Sequence, residues 1–71
     1  MQAGDRMRFI AVMQYLRLNF PERKIDDNLV RSYFNDLLKH NIHDVERAAK
    51  AYVKIGDKFP FVSGLCHFLS T

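Results

Sequence analysis

Three groupings of side chains in this chain have types and spacings on which chemistry could rest. His40 and His43 stand three apart beside Asp44, which is how a metal site begins. A first-row metal takes three or four protein ligands, however, and His67 is the only other histidine, next to a Cys66 expected to point inward. Ordinary histidines at a helix junction account for the pair, and neither a metal nor another cofactor is expected. Cys66 and His67 are neighbours, so a helix directs them about 100° apart. A thiol–imidazole nucleophile needs hydrogen-bond reach and an oxyanion pocket, and a small buried thiol beside a rim histidine is the simpler reading. Among the carboxylates, Asp26 and Asp27 are adjacent residues at a helix start. Asp36, Asp44 and Glu46 follow no pattern that would bracket a substrate, and Gly4, Gly56 and Gly64 are too isolated for a phosphate loop. The residue pattern points away from an enzyme and toward binding.

The most regular polar signal is basic. Arg47, Lys50 and Lys54 fall at i, i+3 and i+7, one line along a helix. Three readings of that line stay open: a solvated helix face, a docking surface for an acidic protein, and the second helix of a helix-turn-helix. Base readout calls for Arg, Asn or Gln near the start of such a helix, where Asp44 and Glu46 stand beside Arg47. With 11 Lys plus Arg against 8 Asp plus Glu, the net charge of +3 is compatible with weak attraction to phosphate and does not establish it. Arg6, Arg8, Arg23, Lys24 and Lys58 extend the basic surface if packing brings them together. Tyr15, Phe61 and Phe68 fit the inward stripes poorly, and aromatic side chains exposed beside charge anchor interfaces. The candidate partner surface is therefore Arg47, Lys50 and Lys54 with Tyr15 and Phe61.

Helices must position these groups. Phe9, Ile10, Met13, Leu16 and Phe20 recur three and four apart, which predicts a helix over 6–19 that Pro21 stops. Asp26 caps a second helix, with Ile25 stapled on Val30, and Leu29, Val30, Tyr33, Phe34, Leu37 and Leu38 give 27–39 a wide apolar stripe. This second helix is expected to be the hub of the core. The third, over 44–55, turns Ile42, Val45, Ala48, Ala49, Tyr52 and Val53 inward. It begins after Asn41 or His43 and stops at Gly56 in a left-handed cap. A short last helix over 61–69 directs Phe61, Val62, Leu65, Cys66 and Leu69 inward, although Phe61 at its edge fits that stripe poorly. Residues 1–5 and 70–71 are expected to fray.

Seventy-one residues permit one domain, since chains this short bury only roughly 60% of their unfolded surface. The apolar fraction of 48% is too high for a disordered tail, and Arg8, Arg17 and Glu22 interrupt any run long enough to span a membrane. A single cysteine permits no internal disulfide. With no secretory leader at the start, a reducing cytoplasm is expected. The fold class is all-α: a compact bundle of three main helices plus a short C-terminal one.

The order of signals carries a resemblance. Ile25-Asp26, Tyr33-Phe34 with Leu37-Leu38, then Val45, Ala49, Tyr52-Val53 and Phe59-Pro60 resemble the helical N-terminal domain of the bacteriophage replicative-helicase loader and inhibitor family. Phe34 stands where members commonly have Trp, and Phe61 follows Pro60 where a second proline is common. The resemblance covers residues 9 to 69. It implies a non-enzymatic adaptor for DNA replication: the module that meets other replication proteins, without the mobile tail that engages the hexameric helicase. The partner expected from it is a replicative helicase or an initiator. A small basic nucleic-acid-binding bundle and a homodimerising subunit are the alternatives.

Overall fold

The computed structural model describes residues 1–69, and among these there are four α-helices and no strand. Helix α1 spans Arg6–Asn19, α2 Asp27–Asp36, α3 Ile42–Ile55 and α4 Val62–Leu69. The all-α expectation holds. The lengths of 14, 10, 14 and 8 residues match three main helices plus one only roughly, because two helices are long and two short.

Each boundary has a local cause. α1 ends as expected at Asn19, where Phe20 before Pro21 leaves the helical region (φ −133°, ψ 73°) while its N–H still reaches the Leu16 carbonyl at 2.9 Å. The Asn19 side chain also donates to the Tyr15 carbonyl at 2.9 Å. Asp26 caps α2 as anticipated, accepting from the Leu29 N–H at 2.7 Å.

α2 stops at Asp36 rather than 39. Leu37 turns inward and is fully buried, Leu38 turns outward, and the chain continues in tighter turns, with the His40 N–H on the Leu37 carbonyl at 3.0 Å. The amino group of Met1 donates to the carbonyls of Leu38 and His40 just beyond this end. Residues 1–5, where fraying was expected, thus carry a 3₁₀ turn over Ala3–Asp5 and close onto the α2–α3 connection. Residues 70–71 lie outside the described residues.

Of the two caps expected for α3, Asn41 is the one used: it accepts from the His43 N–H at 2.8 Å, so the helix opens at Ile42, the earlier of the expected starts. At the other end, Gly56 is extended (φ −77°, ψ 150°) and not left-handed, which corrects the expected cap. Glycine is required there for room: a Cβ on Gly56 would sit 2.7 Å from Cζ and 2.8 Å from Cδ1 of Tyr52.

The hub of the core is also not where the apolar pattern put it. α1 buries Phe9, Val12, Met13 and Leu16 against Ile42, Val45 and Ala49 of α3, and Leu65 of α4 joins the same cluster. Within α2 only Tyr33 is buried, while Leu29, Val30 and Phe34 pack on the cluster from its margin. Ala48 and Ala49 let α3 approach both neighbours: Ala48 lies beside Phe68 and Leu69 of α4, and Ala49 beside Val12 and Tyr15 of α1. α3 is therefore the middle helix. Val12, absent from the expected stripe, is buried, while Ile10 is only half-buried and Phe61 points outward.

Polar bonds tie the connections to this core. The Tyr33 hydroxyl donates to the Pro60 carbonyl at 2.8 Å, the Tyr52 hydroxyl to the Lys58 carbonyl at 2.8 Å, and the Phe59 N–H to Glu22 Oε2 at 2.8 Å. Burial raises the pKa of both tyrosines above the ordinary phenol value. Edge-on contacts of Tyr52 with Phe20 (5.7 Å) and Phe68 (6.3 Å) complete the seam between the first connection, α3 and α4.

Candidate protein-binding surface

Arg47, Lys50 and Lys54 all lie exposed on the outer side of α3, where they line a shallow groove with His43, Glu46 and Ala51. The expected line exists as geometry, but its charge is unevenly compensated. The Arg47 guanidinium pairs with Asp44 one turn earlier. Glu46 is held by Arg8 of α1 through two bonds, Nε to Oε2 at 3.1 Å and Nη2 to Oε1 at 2.6 Å. The bond to Glu46 raises the Arg8 pKa further above its ordinary value. Lys50 and Lys54 form no ion pair with a described residue. Both carboxylates at the start of α3 are thus engaged, and the free positive charge lies on its second half.

The aromatic candidates separate. Tyr15 is 37% exposed and lines the groove between α1 and α3 with Lys50, Arg8, Glu46, Ala11, Val12 and Ala49. Phe61 is 61% exposed but lines no part of that groove; the Lys58 ammonium stands 6.0 Å from its ring centroid, at the turn before α4. Tyr15, Lys50 and Lys54 accordingly belong to one side of the molecule, with Phe61 outside that groove. Phe68, the third poorly fitting ring, is half-buried against Tyr52.

The groups first weighed for chemistry do not converge. His43 Nδ1 lies 3.3 Å from Arg8 Nη2, and among the described residues no three His, Cys, Asp or Glu side chains are grouped to hold a metal ion. Cys66 is half-buried, and the exposed His67 packs its ring on Phe68 at 5.5 Å.

Sequence reasoning missed two features of this surface. One is the Arg8–Glu46 clasp, which depends on the angle between α1 and α3 and leaves no local signal. The other is the exposure of Met7 and Leu18, which a helical projection of α1 places on the side away from Phe9 and Leu16. Compared with protein-family models, curated proteins and solved structures, the chain has no match in any of the three. Among the described residues no helix is long and apolar enough to cross a membrane.

Proposed function

We propose that this chain is a non-enzymatic protein-interaction module of the cytoplasm, a phage or prophage replication adaptor related to helicase loaders and inhibitors, with Lys50, Lys54 and Tyr15 at the centre of its contact surface. One observation carries the binding reading: Tyr15 and Lys50 line the same α1–α3 groove while the neighbouring carboxylates, Asp44 and Glu46, are already taken by Arg47 and Arg8. Such a face offers an aromatic ring and uncompensated ammonium groups to an acidic or mixed protein partner. The assignment to replication rests on the order of core residues from Ile25-Asp26 to Phe59-Pro60. A nucleic-acid-binding role fits this surface less well, because the start of α3 holds Asp44 and Glu46 paired with Arg47 and Arg8 where base readout calls for free Arg, Asn or Gln.

The test is an affinity pull-down from bacterial lysate with the wild-type chain beside a variant carrying Arg47→Glu, Lys50→Glu and Lys54→Glu. Recovery of a replicative helicase, its loader or an initiator by wild type alone is the expected result. Recovery of the same proteins by both chains removes the basic line from the site, and recovery of nothing replicative removes the replication assignment.

A further inference from the structure

α1 turns apolar side chains both inward and outward. Opposite its core side, Met7 and Leu18 are 77% and 81% exposed, and Ala11 and Tyr15 are exposed beside them. With 3.6 residues per turn, these four fall within an arc of about 80° and extend about 16 Å along the axis. They make a stripe, whereas scattered surface apolar residues would carry no meaning. Ala11 and Tyr15 also line the α1–α3 groove, so the stripe runs into a trough floored by Ala11, Val12 and Ala49.

The charge around the stripe is net positive, since the one carboxylate lining the groove, Glu46, is paired with Arg8. Between Arg6 and Asn19 the helix holds Arg6, Arg8 and Arg17 and no carboxylate. Arg8 is engaged by Glu46, whereas Arg17, beyond Gln14 on one side, and Lys50 on the other make no ion pair with a described residue. Uncompensated cations therefore flank an exposed apolar strip on both sides.

We infer that this face seats an amphipathic α-helix of a protein partner, its apolar side chains on Met7, Ala11, Tyr15 and Leu18 and its carboxylates reaching Arg17 and Lys50. The inference rests on the protein-binding reading and narrows it to one face and one kind of ligand. A trough with a small-residue floor accommodates a cylinder, and anchors three and four apart on such a ligand match the run of the stripe. A flat bilayer would meet Met7 and Leu18 but leave the trough unfilled. A phosphate backbone would satisfy the cations and leave Met7 and Leu18 in water. A second copy in a two-fold contact of this face would set Arg17 and Lys50 among like charges.

The experiment is selection of displayed peptides of about 16 residues, long enough for four helical turns, on the whole chain. Recovered sequences are synthesised and titrated into isotope-labelled protein. The expected peptides carry Asp or Glu flanking apolar residues three and four apart, and they shift the amides of α1 and of residues 46–50. Leu18→Ser should weaken binding about tenfold, the scale of losing one buried apolar side chain. Arg17→Glu with Lys50→Glu should abolish it, while both variants keep the wild-type circular dichroism and melting curve. Selected peptides without acids, amide shifts outside α1 and α3, unchanged affinity in Leu18→Ser, or recovery of no peptide overturn the inference. Peptides that ignore Leu18→Ser but lose affinity on Lys54→Glu would end this inference and leave the protein-binding module standing. No peptide, together with binding to duplex DNA or to vesicles of anionic phospholipid, or sedimentation as a dimer, would end both.

Discussion

Replacing Gly56 by alanine tests how the end of α3 is built. A left-handed cap would make Gly56→Ala cost about 1–2 kcal/mol through backbone strain, whatever surrounds it. The observed backbone is extended, a conformation open to alanine, and on that ground alone the substitution would stabilise by about 0.4–1 kcal/mol through the unfolded chain. The Tyr52 ring reverses the sign. With Cζ 2.7 Å from the new Cβ, the ring must move, and it is held by its bond to the Lys58 carbonyl and by Phe20 and Phe68 on its sides. Overpacking of this kind costs about 1–3 kcal/mol, so a net loss of about 1–2 kcal/mol is expected. For a domain of this size that lowers Tm by about 4–16 °C. The decisive assay is a cycle of thermal melts followed by circular dichroism for wild type, Gly56→Ala, Tyr52→Ala and the double variant. In the Tyr52→Ala background the added methyl should be neutral or stabilising. An equal cost in both backgrounds would refute the close-approach argument and restore the strained cap.

Leu37→Ala should cost about 2–5 kcal/mol, since that side chain is fully buried; Phe34→Ala, at the margin of the cluster, should cost less, and Lys50→Ala should stay within about 0.5 kcal/mol by urea denaturation. Tyr33→Phe leaves the Pro60 carbonyl without its buried donor and should cost about 1–3 kcal/mol. Because burial raises the Tyr33 pKa, the unfolded chain loses that proton first; stability present below about pH 10 falls as pH rises past it, and Tyr33→Phe should flatten this part of the alkaline loss. Asp26→Ala should cost about 1 kcal/mol through the lost cap on Leu29, whereas Asp26→Asn should cost little, as equilibrium melts at neutral pH can compare.

What the sequence disclosed was local, and what it withheld was mutual. Pro21 after Phe20, Asp26 ahead of Leu29 and the inward run of α3 each act within a few residues, and the corresponding boundaries lie where those interactions put them. The hub could not be read the same way. The stripe of α2 is the widest in pattern, but width says only that a face is apolar. That α1 and α3 face one another across Ala49, leaving α2 at the margin, depends on which pairs of faces dock. Of the candidate site, the line Arg47, Lys50 and Lys54 was legible from spacing. Its partial neutralisation by Asp44 was legible, because Asp44 and Arg47 are one turn apart, whereas the capture of Glu46 by Arg8 was not, the two being 38 residues apart in sequence. Phe61 failed as a member because nothing in its own neighbourhood says which side of the molecule it occupies.

The Cα atoms span 29 × 29 × 16 Å, a body shallow enough that helices keep one long side in water. That condition makes α1 and α3 mutual controls. They are equal in length, they pack on each other, and each has an outer face that folding does not bury. α3 presents the polar Arg47, Lys50 and Lys54 there, with an exposed apolar side chain, Ile55, only at its last residue. α1, under the same constraint, presents Met7, Ala11 and Leu18 beside Tyr15. Core formation does not explain the difference, because none of these exposed side chains contributes to the buried cluster. Folding stability should therefore be nearly indifferent to Met7→Ser and Leu18→Ser, and the role of these residues is to be sought in what docks on them.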